Sequence, residues 1–278
     1  MGRITARRRV TKIRLGHEPS TRADVLAVEE PLEIRVNGRA LVVTMRTPGN
    51  DVELAQGFLV SEGVIASSAD LVTARYCAGT DDDGVNTYNV LDLALAAHVA
   101  PPAPSLERSF TTTSACGVCG KDSIGAVATK SRFPVADDPL RIGAETLLSF
   151  PDRLREGQKV FDKTGGLHAA GLFDGNTGEL LVLREDVGRH NAVDKVVGWA
   201  LAEDRLPLRN TILQVSGRAS FELVQKATMA GIPLLSAVSA PSSLAVDLAA
   251  EQGLTLAGFV RGESLVLYTH TERMGLLR

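Results

Sequence analysis

The second half of the chain alternates short apolar strands with amphipathic helices, and this order narrows the possible folds more than any other feature. The sequence predicts strands over 211–215, 233–238 and 254–260, and helices over 219–230 and 243–252. The links between these strands and helices are short. Alternation of this kind requires that the strands be parallel and that the helices connect them by right-handed crossovers. A last strand over 265–269 is expected to return antiparallel. The second half is therefore predicted to be an α/β domain with a mixed, mostly parallel sheet.

Before this alternating region, the sequence predicts a hairpin followed by a helix. Apolar runs over 167–173 and 180–184 flank the turn sequence D-G-N-T-G. The helix that follows carries one apolar face, formed by Val193, Val196, Val197, Ala200 and Leu201. Spacing of three and four residues puts these side chains on one side of the helix, so that side is expected to be buried.

The first half is predicted to be a smaller α+β unit. Runs over 32–36 and 41–45 flank Asn37-Gly38, which is the strongest short hairpin signal because both residues tolerate positive φ. Asp51 is expected to cap a helix that ends near Gly63. Two further strands are expected over 71–76 and 87–95.

A proline-rich segment, His98–Pro104, divides the two halves, because proline continues neither helix nor sheet. The run of small and hydroxylated residues after it, 110–120, has the composition of an exposed mobile loop. The predicted organisation is a basic flexible tail over 1–22, an α+β unit over 23–97, a linker with a mobile loop over 98–142, and an α/β domain over 143–278.

Composition excludes several classes of function. Thirty basic and 33 acidic residues give a net charge of −3, and aromatic residues make up 4%, so neither bulk affinity for nucleic acid nor a base-stacking surface is expected. The most apolar long stretch, 230–250, is broken by prolines, an aspartate and serines, so no membrane span is expected. Three cysteines cannot form a disulfide framework, and we expect a reducing, cytoplasmic location.

The amino-terminal segment is strongly basic. Seven basic residues stand against one acid in the first 22, and Arg7-Arg8-Arg9 superficially resembles a twin-arginine export signal. The residues after it, 13–30, include His17, Glu18 and Pro19 where an export signal needs an apolar run. The remaining interpretations are a solvated tail, which we favour, and a docking arm for an acidic partner.

Three loops of unusual composition follow the carboxyl ends of the predicted parallel strands. They are Ser216-Gly217-Arg218, Ser239–Ser243 and Phe259–Ser264. Such ends share one edge of the sheet with the amino ends of the helices, where free N–H groups favour anions. The loops offer hydroxyls, glycines and arginines to phosphate oxygens, which indicates a nucleotide or phosphorylated cofactor. Ordinary turns and helix caps would show some of the same residues.

The segment 184–195 is dense in functional groups. His190 and Asp194 lie one helical turn apart, as do Asn191 and Lys195, so each pair projects to one side. A solvated helix face and a ligand pocket explain this pattern equally well.

Cys116-Gly117-Val118-Cys119 is the most chemically specific motif, and three interpretations remain open. A structural zinc site needs four ligands, and the other Cys and His residues are scattered. A thioredoxin-like redox centre belongs in a βαβ unit, whereas this pair follows a proline-rich segment. The third possibility is a nucleophilic or sulfur-carrying thiol on a loop, with Lys121 favouring the thiolate. Cys77, at the end of a predicted strand, is interpreted as a core residue.

Six segments in matching order resemble the FdhD/NarQ family, the formate dehydrogenase accessory sulfurtransferases, and the resemblance runs from about Glu29 to Thr269. They read F-T-T-T-S-A-C-G-V-C-G-K, K-T-G-G-L-H-A-A, R-E-D-V-G-R-H-N-A-V-D-K-V-V-G, S-G-R-A-S-F-E-L-V-Q-K, A-V-S-A-P-S-S-L-A-V-D-L-A and G-F-V-R-G. Together they are far more specific than the C-x-x-C alone.

The resemblance implies a function. Members of the family take sulfane sulfur from a cysteine desulfurase as a cysteine persulfide, and pass it to the molybdenum or tungsten bis-guanine-dinucleotide cofactor of formate dehydrogenase. Cys116 would carry the persulfide and Cys119 would assist it. The cofactor-binding residues would be Phe259, Val260, Arg261, Gly262, Glu263 and Ser264. The family also implies a homodimer, and GDP is a fragment of its cofactor.

The resemblance further implies a three-layer fold similar to that of cytidine deaminases, but the deaminase chemistry is missing. His168-Ala169-Ala170 has alanine where the catalytic glutamate of H-x-E would stand, and Cys116 and Cys119 precede the histidine. Deamination is therefore excluded. Two classes of function remain, a sulfurtransferase and a cofactor-binding chaperone that does not transfer sulfur.

Overall fold

A computed structural model describes residues 3–77, 88–103 and 131–275. The first half contains six strands and one α-helix within these residues: β1 (Thr5–Lys12), β2 (Ser20–Ala27), β3 (Glu30–Val36), β4 (Arg39–Arg46), α1 (Asp51–Ser61), β5 (Leu71–Tyr76) and β6 (Val90–Leu95). The next part contains β7 (Ile142–Gly143), α2 (Ala144–Gly157), α3 (Phe161–Thr164), β8 (His168–Asp174), β9 (Leu180–Asp186) and α4 (Arg189–Ala202). The last part contains β10 (Thr211–Val215), α5 (Phe221–Met229), β11 (Leu234–Ala237), α6 (Ser243–Gln252), β12 (Thr255–Arg261), β13 (Ser264–Thr269) and β14 (Met274–Gly275).

The first half forms a four-stranded sheet in the order β4-β3-β6-β5. The predicted hairpin is confirmed, with Asn37 and Gly38 at φ 51° and 79° between β3 and β4. The predicted cap of α1 is wrong by one residue. Asn50, in the left-handed region, is the N-cap, while Asp51 accepts two hydrogen bonds from the buried Arg46 guanidinium at 3.1 and 3.0 Å. The carboxylate is thus held by an ion pair instead of by the helix.

The second half is built on a six-stranded sheet in the order β13-β12-β11-β10-β8-β9. The pairs β10–β11 and β11–β12 are parallel, and the other three neighbouring pairs are antiparallel. Four strands, β9 to β12, therefore run in one direction, and β8 and β13 run in the other. The α/β class and the mixed sheet are confirmed, although parallel pairing is confined to the block of three strands from β10 to β12.

Helices cover both faces of this sheet, which gives the second half three layers. The α2 face buries a cluster that includes Phe150, stacked on Phe173 at 4.0 Å between ring centroids. The opposite face packs against α4, α5 and α6. All five residues of the predicted apolar face of α4 are buried, as expected. The buried cluster on this side continues without a break into α1 and the four-stranded sheet.

Two glycines allow α1 and α4 to approach closely. A Cβ on Gly57 would overlap the carbonyl oxygen of Asp194, and a Cβ on Gly198 would overlap the carbonyl oxygen of Glu53. The contact is therefore reciprocal, backbone against backbone. Arg184 reinforces it through a bidentate pair with Glu53 at 2.5 and 2.7 Å. The two halves of the chain are joined by this contact.

The amino-terminal segment differs from the solvated tail that its charge favours. β1 and β2 form an antiparallel hairpin in which Thr5 pairs with Ala27 and Lys12 with Ser20. Threonine and valine between the charged residues favour a strand. Pairing of the two strands satisfies the backbone hydrogen-bonding groups, while most of the side chains stay in water. Most of its residues are exposed.

Candidate functional site

The three loops singled out from the sequence meet at one edge of the six-stranded sheet. A backbone hydrogen bond from Phe259 to Ser239, at 3.2 Å, links the third loop to the second, and Ser216 of the first loop donates to Ala169 of β8 at 3.0 Å. Ser242 donates to the carbonyl of Ala219 at 3.0 Å, which links the second loop to the first. The prediction that parallel strand ends bring these loops together is confirmed.

The amino ends of three helices open at the same edge. Gly188, Ser220 and Ser242 are the N-caps of α4, α5 and α6, and each follows a strand that ends there. The Ser242 hydroxyl accepts from the backbone N–H of Ala245, whereas the Ser220 side chain makes no cap bond. The first-turn N–H groups and the aligned peptide dipoles of three helix ends make the edge favourable to an anion.

The predicted cofactor-binding segment forms the outer part of this edge. Phe259 has φ 52°, in the left-handed region where side chains other than glycine are strained, and it is 36% exposed. The Arg261 guanidinium lies 6.0 Å from the centre of the Phe259 ring. Gly262, at φ 56°, has open space on the side where a Cβ would stand. This segment therefore places an exposed aromatic ring, a cationic side chain and an accessible glycine backbone next to one another.

Some of the other residues of this segment are exposed and one is buried. Glu263 and Ser264 are exposed with Arg261 and Gly262, while Val260 is fully buried on the α2 side of the sheet. The side chain of Val260 belongs to the core, so this residue can offer a ligand its backbone alone. Alternation along β12 accounts for the difference, since successive side chains point to opposite faces.

Two histidines outside the predicted cofactor-binding segment also lie at this edge. His168 begins β8, and its ring lies next to Gly217: a Cβ on Gly217 would be 3.5 Å from Nδ1 of His168. Burial and the nearby charge of Arg189 lower the pKa of His168, against a smaller opposing effect of Asp186. Both histidines lie within the six family-like segments, and this was the signal that could have found them.

His190, in the first turn of α4, connects two of the helix ends. Its Nε2 lies 3.1 Å from the Ser220 hydroxyl and 3.2 Å from a carboxylate oxygen of Glu222. Burial lowers the pKa of His190 to about 3, and the charge of Lys226 adds to the effect. The ring is therefore neutral at pH 7, and can accept from the serine or donate to the glutamate.

The rest of the segment 184–195 is neither a solvated face nor a ligand pocket. Asp186 and Lys195 are 0% and 2% exposed, and Lys195 Nζ lies 2.7 Å from Asp186 Oδ2. Asp186 also accepts from Thr47 N and from Asn191 Nδ2, at 3.1 and 3.0 Å. Asp194 is buried too, where it accepts from both Lys226 and Ser61. These buried charges connect the two halves of the chain, because Asp186 and Lys195 bond to Thr47 and Asp194 bonds to Ser61.

Cys116 and Cys119 lie outside the described residues, so their place relative to this edge stays a prediction. Cys77, after β5, is half-buried, and its N–H donates to the Val90 carbonyl at 2.9 Å. Across the described ranges, no group of three or more His, Cys, Asp or Glu side chains is placed to hold a metal ion. Nor is any helix within those ranges long and apolar enough to cross a membrane.

Comparison with known proteins gives a consistent result. Residues 27–275 match the model of the FdhD/NarQ family. The chain is 60% identical over 272 residues to the "Sulfur carrier protein FdhD" of Mycolicibacterium paratuberculosis, covering 98% of this chain and 99% of that protein. It is 61% identical over 277 residues to the protein of the same name from Streptomyces coelicolor, covering 99% and 98%.

A solved structure supports the same relationship. Its description names a formate dehydrogenase accessory protein from Desulfotalea psychrophila, and it is 25% identical to this chain with a TM-score of 0.77. The match covers 98% of this chain and 100% of that one. The similarity therefore extends over both halves of the fold.

Proposed function

The chain belongs to the FdhD/NarQ family, and from this membership we propose that it is a sulfurtransferase that carries sulfane sulfur for the maturation of a formate dehydrogenase. The observation that carries the proposal is the name shared by its relatives, sulfur carrier protein, at 60% identity over nearly the whole chain. A protein of this function needs a reactive thiol and an acceptor pocket. The sequence supplies the first and the strand-end edge is suited to the second.

The thiol in this proposal is Cys116. Its thiolate attacks the outer sulfur of a persulfide on a cysteine desulfurase, the sulfur–sulfur bond of the donor breaks, and the donor thiolate leaves and takes up a proton. Cys116 then holds the persulfide, and no net oxidation or reduction has occurred. Cys119 assists. The exchange requires free thiols, which fits a cytoplasmic location.

The acceptor is the molybdenum bis(molybdopterin guanine dinucleotide) cofactor, which is the substrate of the second transfer step. Each of its guanine dinucleotide ends carries a diphosphate, so the binding site must attract anions. Three helix amino ends at one edge, together with Arg218 and Arg261, provide that attraction. The exposed Phe259 ring offers a surface on which a guanine base can stack.

Neutral histidines suit the same chemistry. His168 and His190 carry no charge at pH 7 because burial lowers both pKa values, so they add hydrogen-bonding groups at the edge without another cation. The Ser220 hydroxyl, which makes no cap bond to its own helix, is held by His190 and faces the same edge. We assign these side chains to positioning of the bound cofactor.

Mass spectrometry after incubation with a cysteine desulfurase and cysteine tests the proposal. A mass increase of about 32 Da, one sulfur atom, is expected on the peptide that contains Cys116. The matched control is Cys77→Ser, which keeps the C-x-x-C motif and should load like the parent. If no peptide gains sulfur while the protein still binds guanine nucleotide, the protein is a cofactor-binding chaperone instead.

A further inference from the structure

The hairpin formed by β1 and β2, residues 3–27, projects from the amino terminus, and we call it the arm. Its two strands pair with each other and with no other strand in the described part of the chain. In an antiparallel pair every second residue turns its backbone N–H and C=O outward, so both edges of the arm offer unpaired hydrogen-bonding groups. Beyond its contact with α3 near the root, the arm is open to a partner.

Charge is distributed very unevenly between the arm and the rest of the protein. Seven basic and two acidic side chains give the arm a net charge of +5, while the whole chain carries −3, so the remainder carries −8. Among described residues the arm forms one ion pair, Arg22 with Asp24 at 3.3 Å, and both of its members are exposed. A shallow hollow of about 460 Å³ is lined by Arg7, Arg8, Arg9, Thr21, Arg22 and Ala23. This face is complementary to an acidic surface.

The tip of the arm adds an apolar feature. Ile13 is 75% exposed and Leu15 is 96% exposed, and Lys12 and Arg14 are their neighbours. These two exposed aliphatic side chains lie two residues apart in the loop between β1 and β2, where an apolar recess of a partner could receive them. The arm contains no aromatic residue to stack on a base, which disfavours nucleic acid as the partner.

The root of the arm lies beside the candidate site. Val28 donates to the Ile4 carbonyl at 2.9 Å, β2 packs against α3, and a Cβ on Gly166 would be 3.8 Å from that of Ala27. Gly166 comes two residues before His168, which begins β8 at the strand-end edge. A protein held by the arm is thus brought to the side of the molecule where the proposed cofactor site opens.

We propose that the arm is a docking element for an acidic protein partner, whose carboxylates face the arginines and whose apolar recess receives Ile13 and Leu15. The inference rests on the proposed function, in which sulfur arrives from another protein. Charge attraction of this type acts mainly on the rate of encounter, and weakens as salt screens it.

Binding of purified cysteine desulfurase, the first probe, tests the docking at about 0.05 M and 0.3 M salt. The variant Arg7→Glu/Arg8→Glu/Arg9→Glu should bind at least about tenfold more weakly than the parent at low salt and lose most of its salt dependence. The control Arg39→Glu/Arg132→Glu/Arg141→Glu changes the net charge equally at exposed positions outside the arm and outside α3, and should stay within about threefold of the parent. Leu15→Ser should weaken binding without changing the charge.

Sulfur transfer supplies a second measurement. The arm variant should show a higher KM for the desulfurase with an unchanged kcat, and should load from a low-molecular-weight persulfide like the parent. If the parent protein takes up sulfur from neither the desulfurase nor the small persulfide, the proposed function is refuted. The binding measurements, with formate dehydrogenase as second probe, still test the docking proposal in that case. Equal losses in arm and control variants, no binding of either protein, or tighter binding of a single-stranded oligonucleotide would each overturn the docking proposal.

Discussion

Acidification from pH 7 to pH 5 should lower the free energy of unfolding by about 2 kcal/mol through His190 alone. In the folded protein the pKa of His190 is about 3, because burial disfavours its charged form and Lys226 adds repulsion. In the unfolded chain the pKa returns to about 6.5. Between these values the unfolded state binds a proton that the folded state does not, so stability is full above pH 6.5 and falls as the pH falls toward 3. The lowered pKa of His168 acts in the same direction.

Urea titrations of the parent and of His190→Gln at pH 7 and pH 5 measure this effect. Glutamine keeps a hydrogen-bonding group near Ser220 and Glu222 but does not titrate, so the variant should lose about 2 kcal/mol less than the parent between the two pH values. His17→Gln, on the exposed arm, is the matched control and should follow the parent. If the parent and His190→Gln lose the same stability, His190 is not neutral in the folded protein, and the interpretation of its burial is refuted.

Four other predictions concern the thiols, the nucleotide and the helix contact. Cys116→Ser should abolish activation of formate dehydrogenase in a host that lacks its own accessory protein, with Cys119→Ser equally or less harmful; the reverse order of activities would exchange their roles. Calorimetry at fixed salt should show GDP binding more tightly than ADP, and equal affinities would mean that the site recognises phosphate alone. Arg261→Ala should weaken GDP binding roughly 10- to 150-fold, from the loss of about 1.5 to 3 kcal/mol, with Arg261→Lys recovering part; unchanged affinity in both would remove Arg261 from the site. Gly57→Ala should lower the free energy of unfolding by about 1 to 3 kcal/mol in urea titrations, because the added Cβ would overlap backbone atoms of α4. Gly157→Ala is the control and should cost less, because its Cβ would meet the movable side chain of Leu183. Equal losses in the two variants would contradict the close contact between α1 and α4.

The elements of the second half could be predicted closely because local patterns determine them. Strand 211–215 and helix 243–252 have the bounds expected from the sequence. A run of buried β-branched residues, or an N-cap serine and a terminal glycine, is complete within a dozen residues. The meeting of three loops at one edge also followed, since parallel strands leave no other arrangement.

Long-range pairing explains most of what could not be predicted. Lys195 donates to the Thr47 carbonyl, 148 residues away, and no local pattern indicates that such a side chain is buried. The role of Asp51 as partner of Arg46, in place of helix cap, likewise depends on tertiary packing. Val260 is a different case, because strand alternation could have shown that its side chain faces the core. The pairing of β1 with β2 could not be predicted either, because the high charge of this segment favoured a solvated tail.

The contact between α1 and α4 has a consequence for synthesis of the protein. The apolar residues of α1 are buried in a cluster to which α4 contributes, and α4 ends about 140 residues after α1. At about 5 to 20 residues per second, roughly 7 to 28 seconds separate the two on the ribosome. During that interval the apolar residues of α1 lack the helix that they pack against in the finished fold, so we expect a chaperone that covers them to reduce aggregation of the emerging chain.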